Sequence, residues 1–130
     1  MRDIITYIDS IEDKINTIGA NETAIEYAQI ALGLRFNEEY IDLLKCYGCI
    51  LLKGETIFGI AKNKAYDVVT NTIEEKRFYP DIPKDMYVVS SLGIEGILIL
   101  QNADGLIFQF VPSYAPKLIF DSLLDYLKSL

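Results

Sequence analysis

Apolar positions recur along this chain in two periods, one of strand type and one of helix type. Residues 86–89 (MYVV), 97–100 (ILIL) and 106–111 (LIFQFV) are short apolar runs rich in β-branched and aromatic side chains. Runs of this kind predict strands. The run 97–100 is apolar without a break, which predicts a strand covered on both faces. Ala103-Asp104-Gly105 forms a short loop between the last two runs, and Gly105 can take a positive φ there without steric cost. The three runs predict an antiparallel meander around which the rest of the chain packs.

The helical period appears upstream. Ile4, Ile8, Ile11, Ile15 and Ile18 fall on one stripe, which predicts a single amphipathic helix over residues 3–18, closed by Gly19. Asn21 is placed to cap a second helix running to about Leu32, with Ile25, Ala28 and Leu32 facing inward and Gly33 ending it. Leu34-Arg35-Phe36 reads as extended. Asn37 then caps a third helix, with Glu38 and Glu39 at the positive end of its dipole. Tyr40, Leu43, Leu44 and Tyr47 form its buried stripe, and Gly48 closes it.

Residues 49–53 and 56–60 predict two strands joined at Gly54-Glu55, a Gly-X pair that signals a type II′ turn. A polar, basic loop follows over 61–65 and a short helix over 67–77. Residues 78–84 contain Pro80 and Pro83 and lead irregularly into the meander. Downstream, Pro112 and Pro116 bracket an irregular segment, and residues 117–119 make a short strand. Phe120, Leu123, Leu124, Leu127 and Leu130 share one face of a C-terminal helix capped by Asp121 or Ser122. The expectation is one α+β domain over residues 1–130.

Composition narrows the class. At 51% hydrophobic and 24% charged, the chain is too apolar for disorder and needs no disulfide or metal to hold a core. No apolar run approaches the roughly 18–20 residues of a membrane span. The first seven residues lack a signal-peptide core, and Asp3 and Asp9 interrupt the region, so the expected location is cytoplasmic with reduced thiols. The formal net charge is −7. Residues 1–48 hold nine acids against four bases, residues 49–77 four against five, and residues 78–130 six against three. No basic stripe suited to nucleic acid is present. The acidity keeps the chain soluble, or in the sharper reading attracts a basic partner.

The chemical inventory is thin. Without histidine, the Ser-His and Cys-His nucleophile pairs are excluded. Glu38-Glu39 and Glu74-Glu75 are adjacent on helices and splay around the axis, so they read as helix-start acids and solvated faces. Cys46-Tyr47-Gly48-Cys49 is a C-x-x-C. A structural zinc site needs four ligands, and no second pair of cysteines or histidines exists. A redox dithiol places its nucleophile at a helix N-terminus, whereas Cys46 falls in the last turn of a helix. The pair reads as two small buried apolar side chains at a helix–strand corner. Gly93 and Gly96 belong to a turn, not to a nucleotide-binding fingerprint. No catalytic residue, cofactor or metal is expected.

Two stretches resemble a known family. LRFNEEYIDLLKCYG at 34–48, followed by GETIFGI at 54–60, is similar to the SUKH superfamily pattern. In that pattern a helix of the form Tyr, two residues, Leu/Phe-Leu, then Tyr-Gly or Asn-Gly leads into a hairpin with a Phe/Leu-Gly end. IPKDMYVV at 82–89, then Gly93, Glu95-Gly96 and DGLIF at 104–108, matches the second half. The resemblance spans about residues 22–130 and rests on order and spacing. Phe36-Asn37 stands where the family has Leu-Pro, Cys49 replaces a second glycine, and there is no tryptophan.

The resemblance implies a central, mostly antiparallel β-sheet of about 5–6 strands, with N-terminal helices and a C-terminal helix packed on it. It also implies a non-enzymatic binding protein. Bacterial members look like immunity proteins that neutralise a cognate polymorphic toxin, often a nuclease. A distant branch comprises fungal regulators of cell-wall assembly. The expected partner is a cognate toxin protein of basic charge, with no direct nucleic-acid or membrane contact. The alternatives are a regulatory protein-interaction module with no toxin partner and, third, a small thiol oxidoreductase acting through Cys46 and Cys49. The candidate partner-binding residues are acids on turns and helix ends: Glu38, Glu39, Glu55, Glu95 and Asp104. Tyr79, Tyr87 and Tyr114 are candidate aromatic anchors should binding rest on apolar contact instead.

Overall fold

The computed structural model describes residues 2–93 and 96–130. A short helix α1 (Arg2–Asp9) opens the chain and is followed by strand β1 (Lys14–Asn16). Helices α2 (Glu22–Leu32) and α3 (Glu38–Tyr47) lead into a hairpin, β2 (Ile50–Leu52) and β3 (Glu55–Ile57). A single 3₁₀ turn (Lys64–Tyr66) precedes α4 (Val68–Phe78). Strands β4 (Tyr87–Ser91), β5 (Leu98–Gln101), β6 (Ile107–Phe110) and β7 (Lys117–Phe120) then run in order, and α5 (Leu123–Lys128) ends the chain.

The α+β class holds, but the expected single sheet of 5–6 strands is two antiparallel sheets. One has the order β1-β2-β3 and the other β4-β5-β6-β7. The reason lies at β3 and β4, which meet without forming a ladder. The Phe58 N–H donates to the Val89 carbonyl at 2.8 Å, and the Ser90 hydroxyl donates to the Thr56 carbonyl at 2.8 Å. A register shift between Val88 and Ser90 bulges β4 at this point. Beyond Phe58 the chain turns off: Gly59 N–H donates to Tyr66 O at 3.1 Å, and Val68 N–H donates to Gly59 O at 2.7 Å.

The expected helix over 3–18 stops at Asp9. Ser10 closes it, its N–H reaching the Thr6 and Tyr7 carbonyls and its hydroxyl donating to Tyr7 O at 2.6 Å. The isoleucine stripe then splits by environment. Ile4 and Ile8 are buried, whereas Ile15 is 71% and Ile18 90% exposed. Ile15 sits instead on β1, opposite Leu51, covering the otherwise open edge of β2. Gly19 does not close a helix. It lets residues 17–20 lie against the C-terminal end of α3, where a Cβ would collide with the Lys45 carbonyl. Ala20 N–H donates to Leu44 O at 2.8 Å, and Thr17 N–H to Cys49 O at 3.0 Å.

The β2–β3 turn is shifted by one residue from its expected place. Leu52 pairs with Glu55, so Lys53 and Gly54 are the turn, with φ of 49° and 79°. Two central residues with positive φ are the signature of a type I′ turn, which matches the twist of the flanking strands. Helices α2 and α3 begin and end where their caps predict. Asn21, Asn37, Asp67 and Ser122 accept from backbone N–H groups in the first turns of α2, α3, α4 and α5. Phe120 belongs to β7, so the C-terminal helix is shorter than its apolar spacing suggests.

The buried residues form one cluster. β5 pairs on both sides and all four of its residues are buried, in keeping with its unbroken apolar run. Phe36, Tyr40 and Tyr87 pack ring against ring, with centroids 4.8–5.2 Å apart. The Tyr87 hydroxyl donates to Gln101 Oε1 at 2.7 Å and accepts from Asn37 N–H at 3.0 Å, while Gln101 Nε2 donates to the Gly105 carbonyl at 3.2 Å. This buried chain of bonds joins α3 to the β4–β5 pair and to the following loop.

Candidate binding surface

Four of the five candidate acids, Glu38, Glu39, Glu55 and Asp104, fall within the described residues. Glu38 is exposed in the first turn of α3, and Asp104 is exposed in the loop after β5. Their chain neighbours meet, since Asn37 Nδ2 donates to the Ala103 carbonyl at 3.2 Å. The hollow beside this contact, about 370 Å³, is lined by Arg35 and Lys84 as well as Asp85 and Asp104, so its charge is mixed. Glu39 is already engaged, its Oε1 accepting from Leu124 N–H at 3.2 Å, and this ties α3 to α5. Glu55 is half-buried on β3. Its charge adds to burial in pushing the Tyr126 hydroxyl up to about 12. Glu95 lies outside the described residues.

The tyrosine anchors also divide. Tyr87 is fully buried and serves the core, Tyr79 is half-buried, and Tyr114 is exposed. The cysteines are not the buried pair expected: Cys46 is exposed and Cys49 buried. Cys46 points outward because it falls between the inward positions Leu43, Leu44 and Tyr47 of α3. Burial pushes the Cys49 thiol up to about 11, so little thiolate exists there at neutral pH. Among the described residues, no three Cys, Asp or Glu side chains are placed to hold a metal ion.

A broad apolar concavity lies elsewhere, between α2, residues 17–20 and the segment from Ile60 to Val69. It consists of two adjoining open hollows of about 580 and 720 Å³ that share Asn21, Ala24 and Ile60. The α2 wall is low because Ala24, Ala28 and Ala31 fall on one helical stripe, i, i+4 and i+7. Tyr27, 76% exposed, stands over one side and Ile18 over the end nearest the helix start. Tyr66, Lys62 and Asn63 form the opposite wall. Asp67 also lines the groove, but its carboxylate is engaged, accepting from Ala61 N–H at 3.2 Å and from the Thr70 N–H and hydroxyl at 3.0 Å. Lys62 and Lys64 have no salt-bridge partner among the described residues.

The sequence carried a signal for this groove. Ile25, Ala28 and Leu32 account for the inward face of α2, which leaves Ala24, Tyr27, Ile30 and Ala31 unexplained. A surface helix that is apolar beyond its core stripe has a second use for that face. Such an apolar trough with a large exposed aromatic is the usual site of protein contact.

Among the described residues no helix is long and apolar enough to cross a membrane. No curated protein matches the chain. A family model does match, the SUKH_5 model described as SMI1-KNR4 cell-wall, and it covers residues 1–130. The match spans the whole sequence, and the chain therefore belongs to the SUKH superfamily.

Proposed function

We propose that this chain is a non-enzymatic binding protein, and specifically an immunity protein that binds and neutralises a cognate polymorphic toxin domain. The observation that carries the reading is the groove along α2. It offers Tyr27, Ile18 and a row of alanines to a partner, on a chain whose cysteines and acids are spent on capping, packing or open surface. Family membership supports a protein-interaction role. The −7 charge would steer a basic partner over distances of about a Debye length, roughly 8 Å near physiological salt. Exposed Glu38 and Asp104 contribute to that field without being the contact.

The test is co-expression with each toxin-like domain found encoded next to this gene in its native genome; finding none there would count against the immunity reading. The wild-type chain is expected to restore growth, and Tyr27→Asp, on an exposed position, to abolish protection while remaining folded. Absence of protection by the wild-type chain would refute the immunity reading. The cell-wall description of the matching family favours a second reading, a regulatory module with no toxin partner. Co-purification of a non-toxin protein from the native host would favour that one.

A further inference from the structure

We infer that the α2 groove takes an amphipathic helix of the partner protein that carries carboxylates at the end facing Lys62. The inference rests on the protein-binding reading above and specifies the chemistry of the bound segment.

The shape argues for a helix. The wall built from Ala24, Ala28 and Ala31 follows the pitch of α2 over about 10 Å, some two turns. Side chains this small let a second helix axis come close, and the partner's apolar side chains then fill the trough beside Ile60 and Val69. Tyr27 stands at one side as a rigid amphipathic post.

The charge argues for carboxylates. Most of this chain is acidic, yet residues 61–66 (AKNKAY) carry two lysines and no acid. The Asp67 carboxylate keeps its charge, but its oxygens accept from Ala61 and Thr70, and neither makes a salt bridge to these lysines among the described residues. Lys62 lines one hollow and Asp67 the adjoining one, so the groove is positive at the Lys62 end and acidic toward Asp67. A helix that is apolar along one stripe and acidic at one end matches both features. A partner that is basic overall is compatible with this, since steering reads the net field and docking reads Lys62, with exposed Lys64 close by in sequence.

A display library of random sequences on a helical scaffold, selected on the wild-type protein, tests the inference without any toxin. The expected winners carry an apolar i, i+3/i+4, i+7 stripe with Asp or Glu clustered at one end. Their binding should shift the amide resonances of Ala24, Tyr27, Ala28 and Lys62. It should weaken about tenfold, ~1.4 kcal/mol, in a Lys62→Glu/Lys64→Glu variant and vanish in Tyr27→Asp. All three positions are exposed, so these variants are expected to keep the wild-type circular dichroism spectrum. No enrichment, winners with basic ends, or equal binding to Tyr27→Asp would overturn the inference. So would resonances of Ala24 and Tyr27 that move with protein concentration alone, since a second copy then fills the groove. Failure here leaves toxin protection to be judged by co-expression, and failure of protection leaves the selection result intact.

Discussion

Replacing Tyr87 with Phe removes one oxygen from a buried network whose partners are all known. The ring stays packed against Phe36 and Tyr40, so the cavity and aromatic terms hardly change. Two groups lose their partner. Gln101 Oε1 is fully buried and accepts only from this hydroxyl, while Asn37 N–H is half-buried at the start of α3. A buried polar group left unsatisfied costs about 1–3 kcal/mol. Water can reach Asn37 in part, which places its share near the lower end. The expected loss is therefore about 2–4 kcal/mol, a large part of the 5–15 kcal/mol typical of a domain. Urea denaturation followed by far-ultraviolet circular dichroism measures it, with unchanged m-values as the check on a shared denatured state. A Tyr87→Phe/Gln101→Leu double variant removes the orphaned oxygen, so the two costs should fall short of additive by about 1 kcal/mol or more. A single variant within about 0.5 kcal/mol of wild type, or strictly additive losses, would refute the reasoning.

Ile99→Asp should abolish cooperative folding, because it puts a carboxylate without a partner into the middle of β5, seen as loss of the urea transition. Cys46→Ala should be neutral within about 0.5 kcal/mol and Cys49→Ala should cost about 1 kcal/mol. Thiol titration of the native protein should find one fast group, Cys46, and one that reacts only on unfolding. Glu75 has a carboxyl held above its ordinary value, first by burial and then by neighbouring Glu74. A raised folded-state value means its contribution is fully present below about 4.5 and is lost as pH rises through the folded value. Glu75→Gln should accordingly be more stable than wild type at pH 7 and equal to it below pH 4, as read from Tm across pH; a constant difference at all pH values would count against the burial argument.

Much of the fold was legible because local chemistry decided it. Asn21 and Asn37 each announce a helix, and each caps one. The meander was legible from β5, whose uninterrupted apolar run has a single structural meaning here. The N-terminal helix was over-extended because Ile11, Ile15 and Ile18 keep helical spacing after the helix has ended. What overrode that spacing was a long-range demand, the open edge of β2, which no window of sequence around Ile15 contains. The separation into two sheets was equally hidden, since it depends on a bulge at Val89 and on what Phe58 can reach. At the candidate surface, the acids were chosen for their positions on turns, and the structure gives Glu39 to α5. The groove needed residues 18, 27, 62 and 66 to be seen together, and only tertiary packing brings them to one place.

The junction of β3 and β4 bears on how the chain tolerates error. A β-strand that slips by one residue turns its whole inward set of side chains outward, and in a continuous sheet the neighbouring strands must follow. Here one backbone bond from Phe58 and one hydroxyl from Ser90 cross between the sheets, and neither propagates a register. A mispairing in the small β1-β2-β3 sheet, whose strands are only three residues each, is therefore contained at that line. The four-strand meander keeps its own alignment through hairpins close in sequence. What the two sheets do share is side-chain packing, through Phe36, Tyr40 and Tyr87, so core substitutions are felt across the line that a strand slip does not cross.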